Sequence, residues 1–230
     1  SHVLEHVADL RSTVRDLSNL LRPAGILYAE VPDASRYFDF LVAPFQDFNT
    51  EHINHFALAP LRNLFLSHGF SFETGGQKEI ASSPGCPYPV CYGFFRVRSA
   101  ESEPINYEID ESFRQNLEAY VVASHDQIRK INDKLLRLAR SRAQLIVWGT
   151  GQLTMKLLAE SSLAEVQVIA FVDGNPINQG KTLRGAPVLP PERIKDDETP
   201  ILIATLLHYK EITATIRETL RLSNPLITLE

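Results

Sequence analysis

Apolar residues recur every three or four positions in three parts of the chain, the spacing of a helix with one buried face. The first such stretch begins at Asp9 and is closed by Pro23 and Gly25. The second covers residues 58–68 and stops at Gly69. The third predicts one helix of about thirty residues, long enough to connect two halves of the molecule. Its apolar positions include Phe113, Leu117, Tyr120, Ile128, Ile131, Leu135 and Leu138.

Short apolar runs between turn residues predict the strands. They lie at residues 26–31, 70–73, 90–97, 144–148, 166–172, 201–204 and 226–229, and residues 1–4 resemble the end of another strand. Residues 34–55 predict an aromatic loop. The segment 75–89, rich in glycine, serine and proline, is expected to be an excursion between two strands.

A polar, apolar-poor stretch at residues 98–104 (RSAESEP) predicts a linker. We therefore expect three parts: residues 1–98, a linker with the connector helix at 99–141, and residues 142–230. In the last part strands alternate with helices, the latter at residues 153–161 and 210–222, which predicts a doubly wound parallel sheet. The expected fold class is α/β throughout.

Composition narrows the class of protein. The 230 residues are 44% hydrophobic, which is typical of a globular protein. The net charge of −5 disfavours a protein that binds nucleic acid or an anionic membrane. No apolar run approaches the roughly 18 residues of a membrane span, so no membrane partner and a cytoplasmic location are expected. The two cysteines, Cys86 and Cys91, form neither a disulfide framework nor a four-thiolate zinc site. We expect no bound metal.

The turn Gly149-Thr150-Gly151 follows an apolar strand and precedes a helix. Glycines there let the backbone approach a phosphate at the positive end of the helix, and Asp173, ending the next strand, stands where a ribose hydroxyl is bound in dinucleotide enzymes. A βα turn also needs glycine for steric reasons alone. Thr154 occupies the third glycine position of the fingerprint, which disfavours a nicotinamide oxidoreductase.

Of two Glu-His pairs in the sequence, Glu51-His52 is the candidate for catalysis, and Glu5-His6 taken alone is a weak signal. Glu51-His52 lies in the aromatic loop, where a neutral imidazole could accept a proton and a carboxylate could orient it. His55 makes a metal pair with His52 conceivable, and helix capping is a third interpretation. Glu5-His6 begins a helix, where a carboxylate also complements the helix dipole.

Taken together, these segments resemble a known family. The segments SHVLEHVADL, LLRPAGILYAEVPD, TEHINHF and LRNLFLSHGF resemble the second half of a class I S-adenosylmethionine-dependent methyltransferase. The segments VWGTGQ, FVDGNPINQGKTLRGAPVLPPERI and ILIAT resemble the C-terminal domain of sugar C-methyltransferases, in the same order along the chain. Those enzymes act on nucleotide-linked keto-deoxysugars.

The resemblance implies roles for individual residues. His52 would be the base that removes the proton beside the sugar ketone, with Glu51 supporting it and His6 facing the same cavity. The resulting enolate would attack the sulfonium methyl group. Ser1 and His2 would contact S-adenosylmethionine. The nucleotide-sugar would contact a further set of residues: Gly149, Gly151 and Asp173.

The sequence before Gly149 contains no G-x-G, the loop with which class I methyltransferases cradle the cofactor. We therefore expect a C-terminal portion of a longer enzyme that binds the cofactor poorly and does not turn over alone. An exposed sheet edge would then favour a homodimer. The alternative is a non-catalytic module that binds a nucleotide or nucleotide-sugar.

Overall fold

The computed structural model describes residues 1–83, 85–98, 105–194 and 198–230. The chain divides into two compact units, one of Ser1–Leu41 with Asp47–Ala123 and one of Val42–Gln46 with Ser124–Glu230. Of the expected linker, residues 99–104 lie outside the described part of the chain.

Besides the start of a long helix, the described part of the first unit has two α-helices, two short 3-10 helices and a three-stranded antiparallel sheet in the order β1-β3-β2. The 3-10 helices are Leu4–His6 and Ala34–Phe40. The other elements are α1 (Leu10–Leu20), β1 (Ile26–Pro32), α2 (Leu58–Leu66), β2 (Phe70–Ser83) and β3 (Cys86–Val97).

Alternate residues of β1 point to opposite faces of this sheet, as the two-residue period of a strand requires. Ala29 and Val31 lie in a buried cluster with Leu61 and Phe65 of α2. Glu30 lies between them in sequence and instead meets Lys78 of β2, whose Nζ is 2.6 Å from its Oε2. One face of the sheet is therefore the apolar core of the unit.

Two sequence-based expectations for this unit are wrong. Residues 1–4 form no strand, although the backbone N–H of His2 donates to the carbonyl of Glu30 at 2.8 Å. Of the expected excursion at residues 75–89, residues 75–83 belong to β2 and residues 86–89 to β3, and Gly75 pairs with Gly93. The aromatic rings of Phe72 and Phe95 lie over these two glycines and occupy the space where side chains would be.

The predicted long helix is confirmed as α3 (Glu111–Ser141). Asp110 caps its start, because one carboxylate oxygen accepts from the backbone N–H groups of Ser112 and Phe113 at 3.1 and 3.0 Å. The helix residues up to Ala123 belong to the first unit and those from Ser124 to the second.

The second unit contains a six-stranded sheet in the order β6-β7-β5-β4-β8-β9, parallel except for the β6–β7 pair. Its strands are β4 (Gln144–Trp148), β5 (Gln167–Val172), β6 (Thr182–Leu183), β7 (Ala186–Leu189), β8 (Ile201–Ile203) and β9 (Leu226–Thr228). Its helices are α4 (Gln152–Glu160) and α5 (Tyr209–Ala214), the latter continued by a π-helical turn, Thr215–Thr219. The sequence analysis did not predict β6 and β7.

Both faces of this sheet are covered. Leu145 and Val147 of β4 pack in one cluster with Leu157 of α4, while Ile146 and Trp148 pack in another with Ile216. The expected doubly wound sheet and the α/β fold class are confirmed. Because β5 and β8 flank β4 on opposite sides, the strand order reverses at the carboxyl ends of β4 and β8, the place where such sheets bind ligands.

No helix in the described ranges is long and apolar enough to cross a membrane. Cys86 and Cys91 both carry free thiols.

Candidate functional site

The 3-10 turn Leu4–His6 is held in place by the aromatic loop. The backbone N–H groups of Ile53 and Asn54 donate to the carbonyl of Glu5 at 2.9 and 3.1 Å. The side-chain amide of Asn54 also donates to the carbonyls of Leu4 and Val7, at 3.0 and 2.7 Å. These bonds bring the two predicted Glu-His pairs together, although they are far apart in sequence.

A second set of bonds orients the histidines. The Asn49 side-chain oxygen accepts from the backbone N–H groups of Glu51 and His52, both at 2.8 Å, which fixes a tight turn. Nδ1 of His6 lies 2.8 Å from the carbonyl oxygen of Glu51, and because a carbonyl only accepts, Nδ1 carries the proton. The rings of His6 and His52 meet edge to face with centroids 4.9 Å apart.

Glu5 is the residue whose importance the sequence analysis missed. It is only 1% exposed. Its Oε1 lies 3.3 Å from Nδ1 of His2 and 3.8 Å from Nε2 of His6, while Oε2 is buried without a hydrogen-bond partner. The spacing His2, Glu5, His6 in one turn was the available signal, but it is also compatible with a simple helix-dipole role.

The environment of His52 keeps its ring neutral. Burial lowers the pKa of the imidazole below its usual value; the carboxylates of Glu5 and Glu51 oppose this, and His6 reinforces it. Its Nδ1 is buried and has no hydrogen-bond partner. A neutral ring with an unused nitrogen can accept a proton or ligate a cation. One ligand atom from each of Glu5, His6 and His52 lies within 4.8 Å of the other two.

Glu51 reaches this group through its backbone, since its carbonyl accepts from His6 while the residue itself is exposed. His55 lies apart from the group, packed against Tyr37 and Phe48 with ring centroids 5.9 and 4.7 Å away. Burial lowers its pKa as well. Of the two candidate histidines in the loop, His52 is therefore the one that faces His6.

The predicted cofactor residues Ser1 and His2 line a cavity of about 240 Å³ together with β1 residues, among them Tyr28 and Glu30. Nε2 of His2 lies 3.4 Å from Oε1 of Glu30. The cavity is smaller than the roughly 300–1,000 Å³ of a site for a whole drug-sized ligand. The residues present therefore fit one part of S-adenosylmethionine rather than all of it.

In the second unit, Gly149 and Gly151 lie at the carboxyl end of β4, where the strand order reverses. Gly149 has a φ of +102°, which a residue with a side chain adopts only under strain. A Cβ at Gly151 would meet nothing within 4 Å, so packing within the described chain does not require glycine there. Thr154, at the third glycine position, donates to the carbonyl of Gly149 at 2.8 Å.

Asp173 is occupied by local hydrogen bonds. Its carboxylate accepts from the backbone N–H and hydroxyl of Thr150, from the backbone N–H of Asn175 and from the amide of Asn178. Burial alone would raise the pKa of this carboxyl, but the hydrogen bonds, that of the Thr150 side chain foremost, hold it below its usual value. The structure thus places Gly149, Gly151 and Asp173 together.

Comparison with known families adds to this geometry. Residues 1–74 match the family model described as a methyltransferase domain. This match supports a class I methyltransferase domain. The region contains Glu5, His6 and His52, and domains of this family generally use S-adenosylmethionine. Residues 141–227 match a second family model, described as C2185-like, N-terminal. A search of curated proteins found no match.

Proposed function

We propose that the chain forms part of a methyltransferase that methylates a carbon beside the ketone of a nucleotide-linked keto-deoxysugar. The observation that carries the proposal is the meeting of His6 and His52 beside the buried Glu5, within the region that matches the methyltransferase family model. The order of the two matched regions along the chain supports the same interpretation.

In this proposal His52 is the base. Its neutral ring takes the proton from the carbon beside the ketone, and the electrons of the broken C–H bond delocalise onto the ketone oxygen as an enolate. S-adenosylmethionine, when bound, supplies an activated sulfonium methyl group to that carbon. The negative charges of Glu5 and Glu51 stabilise the imidazolium of His52, and His6, fixed by the Glu51 carbonyl, keeps the ring oriented.

Ser1 and His2 would contact one edge of the cofactor through the cavity they line. The nucleotide part of the substrate would bind at the strand-order reversal in the second unit, through the backbone of Gly149 and Gly151 and with Asp173 nearby. A homodimer remains part of the proposal for the whole enzyme.

The experiment that tests the base does not need the cofactor. The chain is incubated in D₂O with a panel of nucleotide-linked 4-keto-deoxysugars, and deuterium at the carbon beside the ketone is measured by mass spectrometry. We expect exchange with the unaltered chain and its loss in His52→Gln. The control His125→Gln, at an exposed histidine of the second unit, should exchange normally. Equal exchange in His52→Gln and the unaltered chain would exclude this base.

The second candidate is a non-catalytic module that binds a nucleotide or nucleotide-sugar. The observation that favours it is the glycine turn at the reversal point of the six-stranded, mostly parallel sheet. Calorimetric titration with nucleoside diphosphates and their sugars distinguishes the two. Tight binding that Gly151→Ala abolishes, without deuterium exchange by any sugar of the panel, would favour the module.

A further inference from the structure

Two buried polar atoms of the first unit have no hydrogen-bond partner in the described part of the chain, and an exposed imidazole lies beside them. Nδ1 of His52 and Oε2 of Glu5 are buried without a hydrogen-bond partner. Nε2 of His6, whose side chain is 41% exposed, lies 3.8 Å from Oε1 of Glu5, which is beyond hydrogen-bond length. Buried polar atoms are paired in the great majority of cases, because an unpaired one has lost its hydrogen bonds to water and gained none in return. Two such atoms beside the His6 ring indicate a missing partner.

The tautomer of His6 suits a cationic partner. Its Nδ1 proton is donated to the Glu51 carbonyl, so Nε2 carries a lone pair directed away from that bond. Histidines that ligate metals nearly always donate their other ring N–H to a carbonyl or carboxylate, which fixes the ring and makes the free nitrogen more basic. His2 makes an analogous contact to the carboxylate, since its Nδ1 lies 3.3 Å from Oε1 of Glu5.

We propose that Glu5, His6 and His52 bind a divalent cation of the zinc type. Two imidazole nitrogens and one carboxylate oxygen form the three-ligand set of an open zinc site, in which water or a substrate oxygen takes the fourth position. Imidazole ligands favour Zn²⁺, Co²⁺ or Ni²⁺, whereas Mg²⁺ and Ca²⁺ prefer oxygen ligands alone. This inference departs from the sequence-based expectation of no bound metal.

The distances allow this site with small movements. The three ligand atoms lie within 4.8 Å of one another, whereas ligands of a tetrahedral zinc ion stand about 3.4 Å apart. The widest pair of ligand atoms would have to approach by up to about 1.4 Å, a movement that side-chain rotation can supply. The backbone of the 3-10 turn and the loop is already fixed by the bonds from Ile53 and Asn54 to Glu5.

The cation site goes beyond the proposed function, and binding of the cation does not depend on that function. Its consequence for catalysis does rest on the proposed function. A cation on His52 would use the lone pair that otherwise accepts a proton, so the metal-loaded chain could not use this ring as a base. The same three side chains would then respond to metal availability as well as to substrate.

The test is a titration of the untagged 230-residue chain with Co²⁺, read by its visible d–d absorption, and with Zn²⁺ by calorimetry. We expect one site, and we expect Glu5→Gln, His6→Gln and His52→Gln each to weaken it by about tenfold or more. The matched controls are His55→Gln, three residues from His52 but outside the group, and the exposed His125→Gln. Both should leave the dissociation constant within about twofold, since neither contributes a ligand.

Circular dichroism of each variant shows whether it is folded. The proposal would be overturned if the unaltered chain gave no tetrahedral or five-coordinate Co²⁺ spectrum. It would also be overturned if all three ligand variants bound the metal as tightly as the unaltered chain. Deuterium exchange without metal binding would leave the base and remove the cation site. Metal binding without exchange would do the reverse, so the two proposals can fail separately.

Discussion

Gly149 holds a backbone conformation that distinguishes it from Gly151, two residues later. The first has a φ of +102°, whereas Gly151, the N-cap of α4, has φ and ψ of −72° and −175°, values open to any residue. The two glycines of one motif therefore have different reasons to be glycine. Strain explains Gly149, whereas Gly151 stands at a helix N-cap, where glycine is favoured, and the open space beside it leaves room for a ligand.

We expect Gly149→Ala to lower the free energy of unfolding by about 1–3 kcal/mol, because alanine is strained at this φ. Gly151→Ala should lower it by no more than about 1 kcal/mol, since a Cβ there meets nothing within 4 Å and only the N-cap preference for glycine over alanine is lost. Urea unfolding followed by the fluorescence of the single tryptophan, Trp148, measures both. Equal losses in the two variants would contradict this account.

Asp173 gives a prediction of pH dependence. Its pKa in the folded protein is below that in the unfolded chain, so it contributes stability above the unfolded pKa of about 3.9 and loses that contribution as the pH falls through the folded value. We expect the stability difference between the unaltered chain and Asp173→Asn to shrink between about pH 5 and pH 3. Urea titrations at stepped pH measure it, with the exposed Asp39→Asn as control. A difference independent of pH would show that the carboxylate charge is not what stabilises the turn.

At the scale of elements, the β2–β3 hairpin shows that a segment containing glycine and proline can form strands. Gly75, Gly76 and Pro89 predict a turn, yet all lie within strands. A Cβ at Gly75 would lie 2.9 Å from the Phe72 ring and would overlap the carbonyl oxygen of Tyr92. Gly75 is needed because the Phe72 ring and the partner strand occupy the space of a side chain, a contact that depends on strand pairing and leaves no local pattern.

Two adjacent glycines of β2 test this explanation. Gly75→Ala should destabilise the chain by about 1–3 kcal/mol through overpacking. Gly76→Ala should be neutral or slightly stabilising, because its nearest neighbour, the Tyr92 hydroxyl, would be 3.6 Å away. Urea unfolding followed by far-UV circular dichroism compares the two. If Gly76→Ala is the more harmful, aromatic packing is not the reason.

The elements that the sequence predicted well are those with a strong period. α1, α2, α3 and the strands β4, β5, β8 and β9 appear close to their expected bounds, because their buried faces repeat along the chain. The strand predicted at residues 1–4 is absent, because the single backbone hydrogen bond from His2 to Glu30 does not form the repeated pairing of a strand. In the site, His6 and His52 could be selected from sequence, but Glu5 could not, since its burial depends on a loop about fifty residues away.

At the scale of the whole molecule, each unit has its own core. Leu61 lies in a cluster drawn from the first unit, and Leu202 in one drawn from the second. Trp148 is buried among residues of the second unit. Its fluorescence therefore reports the second unit, while far-UV circular dichroism reports both.

Leu61→Ala and Leu202→Ala form a matched pair, because both leucines are fully buried. Each should lose about 2–5 kcal/mol in its own unit. We expect Leu202→Ala to lower the urea midpoint of Trp148 fluorescence and Leu61→Ala to leave it nearly unchanged while shifting the circular dichroism transition. Equal fluorescence shifts would show that the chain unfolds as one cooperative body.

The bonds that assemble the histidine group have a consequence for how the protein folds. His6 to Glu51 and Asn54 to Leu4 and Val7 span 45 to 50 residues. Closing such a loop costs chain entropy before any contact repays it, so contacts of high sequence separation form late. Helices and the β2–β3 hairpin can be present in a chain whose histidines are still apart. A preparation can thus show native helix content and lack the site, and cation binding would be a stricter measure of native folding than circular dichroism.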